Sequence, residues 1–199
     1  MSIIAYTSRS GTKKTLDILR QYNWRLVVSA CGKLFPYDFN YIVDNGAWTA
    51  HQQNKPFDHK AFERAVWSMS DKADFTVVPD VVGDAKASLR LTSHYLPLLD
   101  RYKLAIAVQN GMTSDDVAPW LGPNCGLFLG GTTEWKLETM AYWGLVAKDR
   151  NCHYHVARVN SPKRIKLARK AGAHSFDGSG PILFPDRIPQ LDAARFAPL

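Results

Sequence analysis

Three aspartates and one glutamine stand at the ends of short β-rich runs: Asp44 in VDNGAW, Asp80 in VVPD, Gln109 in AVQNG and Asp177 in SFDGSG. One such residue is usually a turn former. Four of them, with Gly130–Gly131 ending another run, suggest a site. Two carboxylates can serve as nucleophile and general acid/base, as in retaining glycosidic cleavage. Gln109 and a further carboxylate can hydrogen-bond the edge of a planar heterocycle. Gly130 and Gly131 would let a ligand approach backbone N–H groups closely. Trp48, four residues after Asp44, can stack on a base. This set points to a glycosidic bond beside an aromatic base and leaves hydrolysis and exchange both open.

The elements that carry these residues alternate. Strand-like runs occupy 3–8, 25–30, 41–46, 74–80, 103–109, 126–131, 154–159 and 174–178, each rich in Val, Ile, Leu, Phe and Tyr as buried parallel strands are. Helix-like segments separate most of them. In DHKAFERAVWSMSDK, Asp58 is a fitting N-cap and Phe62, Ala65, Val66 and Met69 share a face. Pro97 should kink or end the helix that follows Asp84. In SPKRIKLARKAG, Ser161 and Pro162 mark the start and Gly172 the stop. Only CGKLFPYDFN, after the second strand, reads as irregular. The pattern predicts one α/β domain over 1–199, a compact (β/α)8 barrel shorter than the ~250 residues typical of that fold. A doubly wound open sheet is the competing architecture, but no GxGxxG follows the first strand, and the basic SRSGTKKT lacks full P-loop spacing. In a barrel the strand ends converge on one rim, where this fold builds its active sites.

The chain of 199 residues is 46% hydrophobic and 22% charged, ordinary globular composition. No signal-peptide pattern opens it and its apolar runs are too short for a bilayer, so a soluble, cytoplasmic protein with no membrane partner is expected. Cys31, Cys125 and Cys152 are far apart in sequence and form no CxxC pair, and His153 and His155 read as surface residues of a strand. No metal or other cofactor is expected. The net charge of +7 favours a polyanionic partner.

In order, these segments resemble the tRNA-guanine transglycosylases and their DNA-modifying relatives. IVDNGAW resembles the family's Asp-Ser-Gly-Gly-Phe motif. DFTVVPD resembles its strand ending in a base-recognising Asp, and AVQNGM its Val-Gln-Gly-Gly motif. LFLGGTTEWKLETM looks like its Gly-Gly-Leu-Ala-x-Gly-Glu segment. VNSPKRIKLARKAGAHSFDGSG is similar to its Gly-Thr-Pro helix and nucleophile strand, with matching spacing from Pro162 to Asp177. The likeness covers roughly residues 41–180.

The resemblance implies that Asp177 attacks C1′ and expels guanine, leaving a covalent intermediate, and that Asp44 handles the proton of the base. It implies that Asp80 and Gln109 read a guanine-like edge with help from Gly131. Trp48 stands in place of a stacking Phe, and Asn45 in place of the family's Ser. Small neighbours of Asp177 would then let a ribose reach its carboxylate. The tRNA-acting members carry a cysteine-rich zinc site after the nucleophile strand. No such cysteines follow Asp177, and Lys136 falls at the offset of their substrate-selecting Glu. The small size and the lost zinc site resemble the DNA branch, found in phages and bacterial modification clusters, which exchanges guanine in DNA for a 7-deazaguanine such as the 7-cyano form. If phage-encoded, the protein would act in the host cytoplasm.

On that reading the partners are DNA, with tRNA as runner-up, and a free 7-deazaguanine base; a homo-oligomer or accessory modification proteins stay open. The target base must be flipped out or single-stranded. Lys163, Arg164, Lys166, Arg169 and Lys170, clustered in one helix, are candidates for phosphate contacts, with Arg9, Lys13 and Lys14. Arg158 is the rim candidate, because phosphates in barrels often bind near the seventh and eighth loops. A nucleosidase or nuclease on the same barrel and a catalytically inactive nucleic-acid-binding barrel are the alternatives of other classes.

Overall fold

The computed structural model describes residues 2–9 and 12–198; Ser10 and Gly11 of SRSGTKKT lie outside the described residues. The strands are β1 (Ile4–Ser8), β2 (Arg25–Ser29), β3 (Tyr41–Asp44), β4 (Thr76–Val77), β5 (Leu104–Val108), β6 (Cys125–Leu129), β7 (Tyr154–Val156) and β8 (Ser175–Gly178). They form a closed barrel in chain order. Every neighbouring pair is parallel, and β1 seals the ring against β8 with Tyr6 opposite Asp177. This is the (β/α)8 architecture, and closure removes the open-sheet alternative.

The helices are α1 (Lys13–Gln21), α2 (Ala47–Gln52), α3 (His59–Met69), α4 (Ala85–Leu99), α5 (Ser114–Val117), α6 (Thr133–Asp149), α7 (Pro162–Lys170), α8 (Gly180–Leu183) and α9 (Ile188–Phe196). Asp58 caps α3 by accepting from Ala61 N at 2.9 Å, and the predicted apolar face of α3 is buried. Ser161 caps α7 through Arg164 N at 3.3 Å, and Gly172 beyond its end has φ +80°. The segment after β2 carries no helix, as its composition suggests. Pro97 lies inside α4, which continues to Leu99. The proline falls in the last turn, where few backbone bonds depend on it, and buried Tyr95 and Leu99 anchor that turn. Helices α2, α8 and α9 lie in segments without a helical pattern in the sequence. The last of these braces the strand starts: buried Arg195 donates to Ile3 O at 2.9 Å and Tyr22 O at 3.1 Å.

Alternate strand residues face opposite sides of the barrel wall. One set, including Ala5, Leu26, Val43, Ile106, Leu127, Val156 and Phe176, packs with Leu19, Phe62, Trp143 and Ile165 of the helices in the main core. Each fully buried large side chain here contributes about 1.5–3 kcal/mol. The other set fills the lumen: Tyr6, Ile42, Phe75, Val77, Ala105 and Ala107, with Val27 and Phe128 against them. Two residues beyond Val27, Ile42 and Ala107, on the same inward face, come Ser29, Asp44 and Gln109. The apolar plug thus gives way to a polar layer at the carboxyl ends. Among the described residues, no helix is long and apolar enough to cross a membrane.

Candidate active site

That polar layer floors a pocket of about 580 Å³, lined among others by Asp44, Asn45, Trp48, Asp80, Gln109, Gly130, Gly131, Arg158 and Asp177. The volume suits a small organic ligand. The predicted catalytic and base-binding residues therefore meet in one cavity.

Asp177 is 15% exposed and its partners are fixed. His155 Nε2 lies 2.9 Å from Oδ2, and the Arg158 backbone N–H donates to Oδ1 at 3.1 Å. A carboxylate only accepts, so Nε2 of His155 carries the proton. On its other side His155 Nδ1 lies 2.8 Å from Ser175 Oγ, which in turn lies 2.7 Å from His153 Nε2. Burial pushes the Asp177 carboxyl up, but the His155 and Arg158 bonds and the nearby Lys136 charge outweigh it and hold Asp177 below the usual range. The His155 ring is stacked on Phe128, with centroids 4.8 Å apart and planes 6° from parallel.

His155 corrects the sequence reading, which put it on the surface. It is 0% exposed, inside the barrel. The signal was available: His155 shares its strand face with Ala157, two residues before the rim, and a polar residue in a strand buried on both sides must find a partner inside.

Asp44 behaves oppositely. Its Oδ2 accepts from Gly46 N at 3.1 Å. Burial, reinforced by the Asp177 charge, pushes it up to about 6 against the pull of Gly46 N and Ser29. Asp80 is pushed up to about 7, mainly by burial and further by Asp44. Asn45 Nδ2 donates to its Oδ1 at 2.7 Å and Gln109 Nε2 to its Oδ2 at 2.5 Å. Asn45 also donates to Val78 O at 2.8 Å and accepts from Ala47 N at 2.8 Å, so it orients Asp80 rather than offering free donors to a ligand.

The two glycines work differently from the expectation. Gly130 N donates to Val108 O and Gly131 N to Gln109 Oε1, both at 3.1 Å, so neither N–H awaits a ligand. A Cβ on Gly130 would stand 2.6 Å from Gln109 Nε2, and one on Gly131, at φ +69°, 2.5 Å from the Trp135 ring. They are small so that Gln109 and Trp135 fit. Gly178 is similar: its missing Cβ makes room for Val159 O at 2.6 Å and Asn160 Oδ1 at 2.4 Å. The protein's own chain, not an incoming ribose, takes that space.

Arg158 has φ +57°, a left-handed conformation that costs a non-glycine residue of order 1–3 kcal/mol. It aims the backbone N–H at Asp177, while the guanidinium donates to Gly131 O and lies 4.3 Å from the Trp48 ring centroid. Trp48, 40% exposed, presents its ring at the mouth. Lys136 is buried beneath, donating to Ala157 O; burial and the Arg158 charge bring it down to about 7.

The basic residues of α7 do not converge on the pocket. Arg169 donates to Ala194 O and Ala197 O, bracing α9. Lys163 and Lys166 line an outer groove with Pro198, and Lys170 also faces a cavity shared with His153 and His174 towards the other end of the barrel. Among α7 cations, Arg164 is near enough to Lys136 to act on its charge. Lys13 and Lys14 are exposed on α1. Among the described residues, no group of His, Cys, Asp and Glu side chains is placed to hold a metal ion. Comparison of the chain with protein-family models and with curated proteins finds no match, so the functional reading rests on the residues themselves.

Proposed function

We propose that this barrel is a DNA base-exchange transglycosylase that replaces guanine by a 7-deazaguanine such as 7-cyano-7-deazaguanine. One observation carries the reading: a single pocket holds Asp177 as an anion and Asp44 with an affinity for a proton near neutral pH. Those are the states that a nucleophile and a general acid need.

Asp177 attacks C1′, and the C1′–N9 bond breaks with its electron pair leaving on guanine. Asp44 gives its proton to the departing base. A carboxylate–C1′ ester remains. The incoming base passes its N9 proton to Asp44, N9 attacks C1′, and Asp177 leaves as a carboxylate. Protons and charge balance, and the phosphodiesters are untouched. Asp80, held by two amides, keeps oxygen lone pairs for N–H groups of the guanine edge. Trp48 offers a ring for stacking. The ordered motifs of residues 41–180 and the net charge of +7 support the same reading.

The test offers isotopically labelled guanine with duplex DNA, single-stranded DNA and tRNA, each with Asp177→Ala as control. Label should enter DNA only and only with the unmodified protein. Label in tRNA alone would shift the polymer to tRNA, and release of guanine without incorporation would make the enzyme a hydrolase.

A further inference from the structure

The pocket mouth opens onto the irregular segment 30–40 between β2 and β3. Arg9, just past β1, and Lys33 of this segment line the mouth together with Arg158. Each of the first two sits against an aromatic ring. The Arg9 guanidinium lies 5.9 Å from the Tyr37 ring centroid and donates to Tyr37 OH at 3.3 Å. Lys33 Nζ lies 6.0 Å from the Phe35 centroid. The two rings meet edge to face with centroids 4.9 Å apart.

Three features set this patch apart from an ordinary solvated loop. Phe35 is 47% exposed, though a core lies close by. Tyr37 has φ +54°, a conformation bulky residues avoid, so the loop holds its ring in place against backbone strain. The cations of the patch are also without ion-pair partners. Asp38, the carboxylate within the segment, is paired with Arg20 at 2.7 Å. Among the described residues, neither Arg9, Lys33 nor Arg158 has an ion-pair partner.

We propose that Arg9, Lys33, Phe35 and Tyr37 form the surface that holds the nucleotides flanking the reacting one. The cations meet phosphates and the exposed rings take unpaired bases, the arrangement by which single strands are bound without sequence readout. The inference rests on the DNA reading of the pocket and deepens it. It moves the polymer contact from α7, whose cations point elsewhere, to the β2–β3 segment beside the pocket. Bases can stack there only when unpaired, so the flanks of the target are single-stranded or opened.

The test is fluorescence anisotropy with a labelled single-stranded DNA of about a dozen nucleotides carrying one guanine. It compares the unmodified protein, the Arg9→Ala/Lys33→Ala pair, Phe35→Ala, and Lys163→Ala/Lys166→Ala on α7, with melting curves to show that each is folded. The Arg9/Lys33 pair should weaken binding tenfold or more and lower the salt slope by about 1.4, two phosphate contacts at ~0.7 each. Phe35→Ala should weaken binding about tenfold with the slope unchanged. The α7 pair should stay within threefold. Tight binding that survives the Arg9/Lys33 and Phe35 changes, or that falls only with the α7 pair, overturns this surface and leaves the base-exchange reading standing. No binding by the unmodified protein overturns both.

Discussion

At the amino ends of the strands, Asp74 accepts from Tyr6 OH at 2.8 Å and from Arg25 at 3.0 Å, beside a cavity of about 240 Å³. At the carboxyl ends, Asp44, Asp80 and Asp177 share a pocket of about 580 Å³, and among the described residues no Lys or Arg side chain forms an ion pair with any of them. Their partners are amides, backbone N–H groups and an imidazole. An arginine partner settles a carboxylate's charge and closes the cluster. At Asp80 the amide donors fix its direction without offsetting burial and the neighbouring carboxylate, whereas at Asp177 the imidazole and a backbone N–H do offset burial. So Asp74, six residues before Asp80 in the same run, serves the barrel's closed end, while Asp80 is pushed up to about 7. In barrels of this fold the amino-end face serves stability and the carboxyl-end face is where active sites are built.

The sharpest way to break this comparison is to exchange the effects of the two ends. On the proposed mechanism Asp177→Asn should lower base exchange by about 10⁴-fold or more, as loss of a nucleophile does, with a melting temperature close to that of the unmodified protein. Asp74→Ala should do the reverse. It leaves Arg25 without its ion pair and Tyr6 OH without an acceptor, costing about 1–3 kcal/mol in chemical denaturation, while exchange stays within threefold. An Asp74 variant that melts normally but no longer exchanges bases would erase the distinction between the ends.

A second, smaller effect sharpens what imidazole ligation does at the carboxyl ends of the strands. His155→Phe keeps a ring against Phe128 and removes both hydrogen bonds. Without its largest lowering influence, Asp177 is left to the upward push of burial. Single-turnover guanine release should fall about 10²-fold, and its acid limb should move to higher pH because the nucleophile must be ionised. In the unmodified protein the alkaline limb should fall through pH about 6 as Asp44 loses the proton it donates. A His155 variant that is slower at every pH with an unmoved acid limb would show that the histidine only packs.

The barrel was legible because its strands are short, apolar and regularly interleaved with helices. The rim set was legible because Asp44, Gln109 and Asp177 follow apolar runs directly. What escaped depended on contacts across the barrel. His155 looked like a surface residue because its partners, Ser175 and Asp177, lie on the neighbouring strand, twenty and twenty-two residues away. Gly130 and Gly131 looked like ligand contacts because nothing local says that Gln109 and Trp135 fill their space. The basic run of α7 looked like one cluster of phosphate contacts. Its residues fan around a helix that leads away from the rim, and one of them turns to bind backbone carbonyls near the end of α9. Lys33 gave no signal beyond being one lysine in an irregular stretch.

A further effect concerns the free energy stored in the buried carboxylate layer. Asp44 binds its proton with a pKa of about 6 in the folded barrel against an ordinary 3.8. Between those values the folded state holds a proton that the unfolded state has lost, so stability falls as pH rises through that window. Asp44→Asn removes the charge and keeps an oxygen for Gly46 N. It should therefore melt like the unmodified protein near pH 4 and be more stable by about 1–3 kcal/mol at pH 8, from roughly two pKa units at ~1.4 kcal/mol each, discounted for partial exposure. The gain includes relief of Asp80 and Asp177, whose charges no longer meet a third. Equal stability at both pH values would mean that solvent screens Asp44 well enough to remove the strain, and the contrast with the neutralised end at Asp74 would then reduce to hydrogen-bond geometry alone.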